Sequence, residues 1–352
     1  MPKTHLRLTA AFGLLLPLLA IAAPLSAQDY TIVALSHTDN LVTEHEPLSG
    51  RVLKRFAVPG GWFGEVHEAA IAPDGRTMYV SVPYSKFVLV LDLETFTEKG
   101  RIESEHFTRP EMARNFARGV TRTTTTTDPH GVALNNDATK LYVTVEFAPV
   151  PGVVVYDLKA KRTIKKIDTV VPSNYLWVQP KTDKLYVPTR ADRVLVVDTK
   201  TDTIRTVIPV QGAPNGVDFA PNGEVWVNGN ADGSVTVIDS ATDTVTKVIK
   251  TTGKGTGRGA VSPDGRFAAA TQGPQVTVID AQSKAIVATF KTTESGQGFP
   301  LFSPDSKTLF VMNEVGGDMA IFDITTMSDT GRRYPIGGAS FGGGIRRSSK
   351  RP

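Results

Sequence analysis

The sequence predicts an all-β chain, a seven-bladed β-propeller of four-stranded blades, closed by a C-terminal strand that joins the N-terminal blade. Three observations carry this. Val, Thr, Ile and Asp recur in short blocks separated by Pro, Gly, Asn and Asp, while periodic runs of helix formers are scarce. An acidic residue that ends the third strand of each copy recurs as Glu46, Asp92, Asp157, Asp198, Asp239, Asp280 and Asp323. The steps between them are 46, 65, 41, 41, 41 and 43 residues, and three identical steps mark a repeat that seven copies would close into a ring.

Residues 1–27 read as a secretory signal. A basic start (Lys3, His5, Arg7) precedes an apolar run from Leu8 to Ala23, and the small-residue exit Pro24-Leu25-Ser26-Ala27 places Gln28 at the mature start. An uncleaved anchor is the competing reading, but the run is short for a span of about 20 residues. No later segment is long and apolar enough to cross a bilayer, so a periplasmic or secreted chain is expected. Zero cysteines exclude disulfides, thiolate metal sites, a nucleophilic thiol and haem attached through C-x-x-C-H. The signal takes two of 39 basic residues against 35 acidic ones, and so near-neutral a balance makes nucleic acid an unlikely partner.

Residues 28–345 are expected to form the propeller. The first copy lacks an innermost strand: it begins at Tyr30–Leu35, which matches a second strand, and continues through Asn40–Glu46 and Arg51–Val58. Fuller copies follow at His67–Ile102, Pro129–Ile167, Pro172–Val210, Pro214–Ile249 and Arg258–Phe290, with a looser one at Gly296–Ile336. Near-identical turns join first to second strands, as in Ala72-Pro73-Asp74-Gly75 and Ser262-Pro263-Asp264-Gly265. Pro sets the first turn dihedral and Gly accepts a left-handed one, so these aspartates read as turn caps, not metal ligands. Gly338–Ile345 resembles a first strand with no blade of its own and is assigned to blade one. Residues 346–352 read as a disordered basic tail.

The 65-residue step leaves an insertion at 101–128 between blades two and three. Thr108-Arg109-Pro110-Glu111 fits a capping box and Gly119 a stop, which predicts a short helix carrying Arg114 and Arg118 on one face. Such a helix is either a lid over the channel mouth, offering guanidinium groups to an anion, or a solvated helix docked by Met112 and Phe116.

Tyr142-Val143-Thr144 at the end of a second strand, with Tyr79-Val80-Ser81 and Tyr186-Val187-Pro188 in the same place, resembles the motif that names the YVTN-type β-propeller repeat family. The third strands Val235–Asp239 and Val276–Asp280 are similar to that family's as well. The resemblance covers essentially the whole mature chain and implies a seven-bladed periplasmic propeller. It implies no one activity, because function resides in sites grafted onto a fold.

Loops that enter first strands and leave second strands share one face, around the central channel. Counting twelve residues back from Tyr79, Tyr142 and Tyr186 gives His67, His130 and Asn174, and Asn215 stands eleven before Trp226. Arg258 and Gln297 are the counterparts in later blades. This ring is the candidate ligand-binding site, with Arg114 and Arg118 from the insertion. His37, after the second strand of blade one, joins His67 and His130 as a candidate metal-ligand set, since neutral imidazole binds zinc, copper or iron. The competing reading is that each histidine caps its strand entry by bonding a neighbouring carbonyl.

The function expected is binding of a small anionic ligand or an envelope protein, by a monomer. An enzyme (a lactonase, lyase or metal-assisted hydrolase) or a redox propeller using His67 and His130 is the alternative. No cofactor is identified by any motif.

Overall fold

The computed structural model describes residues 29–59, 66–107, 128–146, 150–253, 255, 257–293 and 298–347, with Phe341 described by its backbone alone. The signal segment, the helix expected at Thr108–Gly119 with Arg114 and Arg118, and Gln297 lie outside these residues.

Alternating Val and Ile with tight Asx and glycine turns produce seven four-stranded antiparallel sheets. Six run in chain order from inner to outer strand. Blade five, for instance, consists of Pro214–Phe219, Glu224–Gly229, Ser234–Asp239 and Thr244–Lys250. Its third strand is buried at every position but the last, whereas the fourth is exposed at all but Ile249. The blade is therefore core between its neighbours and solvated only at its rim.

Among the described residues the apolar core divides into seven clusters, each filling the seam between adjacent blades. Val33, Leu35 and Val42 of blade one meet Met78, Val80 and Leu89 of blade two, and Phe310, Met312 and Ile321 of blade seven meet Tyr30, Ile32 and Ala34 of blade one. Trp226, Tyr142, Tyr186 and Phe310 are fully buried in these seams. Each such ring stabilises the stack by roughly 1.5–3 kcal/mol.

The ring closes as the sequence predicts: Ser340–Arg347 pairs with Tyr30–Ser36, with Ile345 opposite Ile32. The strand runs two residues into the stretch expected to be a disordered tail. Arg346 is held there because its guanidinium donates to buried Glu44 at 2.7 Å and to the Gly75 carbonyl at 2.9 Å.

The strand-ending aspartates are caps. Asp92, Asp157, Asp198 and Asp280 each accept two backbone N–H groups from the following turn through Oδ1. Asp74 does the same in the Pro-Asp-Gly turn, where Gly75 adopts a φ of +64°. A side-chain rung also stitches blades three, four and five. The Tyr142 hydroxyl donates to Asp202 at 2.6 Å beside Lys140, and Tyr186 and Lys184 repeat the arrangement on Asp243.

Candidate functional site

Backbone pairing sorts the start of each first strand into two slots. In the first slot a backbone N–H donates across to the second strand: His67 to Ser81, His130 to Thr144 and Gly257 to Thr271. In the next, a carbonyl accepts from those same partners: Glu68, Gly131 and Arg258. Arg258, offered from the sequence as the counterpart in blade six, therefore does not occupy the place of His67 and His130. It stands one residue further along, in the slot of Glu68.

The histidines converge. His67 and His130 approach Nε2 to Nε2 at 3.1 Å, and the His37 ring stands edge-on to His67 with centroids 5.5 Å apart. His130 Nδ1 lies 2.9 Å from the Asn174 carbonyl, which can only accept. His130 is thus the Nδ1–H tautomer, its Nε2 accepts, and His67 donates from Nε2. Both rings are buried, at 4% and 0% exposure. Burial holds both below the usual histidine range: His130 at about 3, with Arg258 and then Arg190 deepening the drop, and His67 well down, with His130, His37 and lastly Arg258 adding to it. His37 donates from Nδ1 to the Val66 carbonyl at 2.9 Å, and burial lowers it too.

Beneath this pair a septum crosses the channel. The Arg258 guanidinium is ion-paired to Glu68 and lies 4.1 Å from the Tyr175 ring centroid and 4.9 Å from that of Phe299. Burial opposes the Arg258 charge, but Glu68 and Tyr175 more than offset it, so the guanidinium stays charged. Burial raises the Glu68 carboxyl while Arg258 pulls against that rise, and burial pushes the Tyr175 phenol up to about 12.

Tyr175 lines two chambers, one on each side of the septum. The upper one, of about 330 Å³, is walled by Asn174, Tyr175, Arg190, Ala213, Pro214, Asn215 and Asn230. Arg190 is its charged group. It pairs with buried Glu146 at 2.8 Å and donates from Nε to the Asn174 side-chain oxygen at 2.9 Å, while its side chain remains 56% exposed. A guanidinium has five N–H donors in a fixed fork, so two anchors orient it and leave others for a ligand.

Of the residues named from sequence, Asn174 and Asn215 line the upper chamber, His67 and His130 meet behind it, and Arg258 belongs to the septum. Asn215 also donates to the Gly257 carbonyl at 3.1 Å. Arg190, Glu146, Asn230, Tyr175 and Glu68 were not anticipated. Arg190 directly follows a second strand, as His37 does, and reading that position in every copy would have found it. The metal reading of His37, His67 and His130 needs three converging donors. Among the described residues no group of three or more His, Cys, Asp or Glu side chains is placed to hold a metal ion. The two arginines that depress His130 also make the surroundings unfavourable to a cation.

No family model matches the chain, and no curated protein does. Solved structures do match. A chain of Kuenenia stuttgartiensis hydrazine synthase aligns with a TM-score of 0.65 at 18% identity, over 82% of this chain and 92% of that one. A functionally unknown protein from Desulfotomaculum acetoxidans DSM 771 aligns with a TM-score of 0.70 at 13% identity, over 90% and 99%. At such identities the likeness shows the fold alone, and that fold is the seven-bladed β-propeller.

Proposed function

We propose that this chain is an exported, YVTN-type propeller of the cell envelope that binds a small anionic ligand in its upper chamber. The observation that carries this reading is Arg190, a half-exposed guanidinium held by Glu146 and Asn174 at the wall of a 330 Å³ chamber. A carboxylate or phosphate there gains charge-assisted bonds of about 1.5–3 kcal/mol each. The amides of Asn174, Asn215 and Asn230 stand around it as polar neighbours. Export rests on the signal-like residues 1–27, and the family on the Tyr142-Val143-Thr144 type of strand end.

A thermal-shift panel of small carboxylates, phosphate and sulfonates tests the reading. Arg190→Gln alone would strand buried Glu146, so the comparison is the double variant Arg190→Gln/Glu146→Gln. Anions are expected to raise the melting temperature of the unaltered chain and not that of the double variant. Equal shifts in both would overturn the proposal.

One observation favours a second reading. The His67–His130 contact is a neutral imidazole pair with defined tautomers, the arrangement of a proton relay. Turnover of a bound lactone or ester that is lost in His130→Gln, with the fold intact, would put the enzyme reading first.

A further inference from the structure

Below the septum lies a second chamber of about 340 Å³, opening on the opposite face, with Ile71, Val132, Leu134, Leu176, Trp177 and Phe299 in its wall. Its chemistry differs from that above. Glu68, in its lining, is already ion-paired to Arg258. Asn135 spends its side-chain oxygen on the N–H groups of Thr139 and Lys140 and its amide on the Thr139 hydroxyl. Asn136 donates to the carbonyls of Gln179 and Thr182 and accepts from Lys181. The wall side chains thus offer no uncompensated charge, and of their amide donors only the second N–H of Asn135 has no bond.

Beside that N–H and the indole N–H of Trp177, what polarity remains is main-chain. Each first strand pairs on one side only, so alternate N–H and C=O groups of its other edge face the channel. The groove is apolar and aromatic on its sides and hydrogen-bonding along its strand edges. An apolar cavity of roughly 150 Å³ holds one benzene ring, so a chamber of about 340 Å³ has room for two fused rings. We infer that the lower chamber is a separate binding site for a neutral, flat, two-ring molecule with a hydrogen-bonding edge, stacked beside Trp177. This site is independent of the anion reading above it.

The probe is 2-naphthol, neutral at pH 7 and fluorescent. Binding with a sub-millimolar Kd is expected, weakened at least tenfold in Ala70→Leu, which fills the chamber from its wall, and unchanged in Arg190→Gln/Glu146→Gln. In the unaltered chain, nuclear Overhauser contacts from naphthol protons to the methyls of Ile71, Val132 and Leu134 locate the ligand without any substitution. That second measurement decides the matter should Ala70→Leu not fold. Absence of binding, contacts elsewhere on the chain, or a folded Ala70→Leu that binds equally well would overturn the inference.

Discussion

The imidazoles of His67 and His130, 63 residues apart in sequence, share one hydrogen bond, Nε2 to Nε2 at 3.1 Å. Unfolded histidine titrates near 6.5, whereas burial keeps both rings neutral far below that in the folded chain. Below pH 6.5 the unfolded state therefore binds more protons than the folded one. Stability falls as pH drops from about 6.5 toward the folded value, about 3 for His130, and is flat for these groups above 6.5. Each histidine adds a slope of up to about 1.4 kcal/mol per pH unit. Urea melts between pH 5 and 6.5 should show the slope, and His67→Gln/His130→Gln should make it shallower. A stability unchanged over that window would refute the neutral pair.

Arg258→Met leaves Glu68 buried without its counter-charge, which costs about 3–5 kcal/mol. Adding Glu68→Leu removes the stranded carboxylate and should restore most of the loss. Chemical denaturation of the two single variants and the double variant measures the coupling, and strictly additive losses would contradict the septum pair.

Gly131 of blade three packs directly against the main chain of blade four. A Cβ there would lie 2.6 Å from the Asn174 carbonyl oxygen and 2.8 Å from the Tyr175 Cα, both main-chain atoms. Gly131→Ala should destabilise by about 1–3 kcal/mol and disturb the His130–Asn174 bond, visible as changed ring-nitrogen shifts of His130. A neutral substitution would mean the seam yields more easily than its packing implies.

Deleting residues 339–352 removes the closing strand and exposes the edge of Tyr30–Ser36. A chain without ring closure should lose its single cooperative unfolding transition and become sensitive to protease within blade one. Retention of one sharp transition would show that the strand is dispensable.

The blade count was legible because every blade ends its third strand with an acid, Glu46 in blade one and in the other six an Asp that caps the following turn, a local device that leaves a local mark. The closing strand was legible because a first-strand pattern stood without a blade of its own. The site was less so. Counting back from an aromatic worked in blades two to four, where Tyr79, Tyr142 and Tyr186 hold one place in the ladder. In blade six Ala269 holds that place and the aromatic Phe267 stands two residues earlier, opposite Asp280. With that marker displaced, twelve residues back from Phe267 is Gly255, whereas the first slot belongs to Gly257 and Arg258 stands one slot further along. The septum was hidden for another reason: Glu68, Tyr175, Arg258 and Phe299 come from four blades and meet only across the channel.

The anion site is tested most directly by calorimetric titration of the mature chain, purified without added metal, with succinate and with inorganic phosphate at pH 7. Binding of at least one anion at one site per chain is predicted, with the affinity reduced at least tenfold in Arg190→Gln/Glu146→Gln and lowered by added salt. No binding of either anion, or binding that survives unchanged in the double variant, would contradict the assignment of Arg190 as the ligand-holding group.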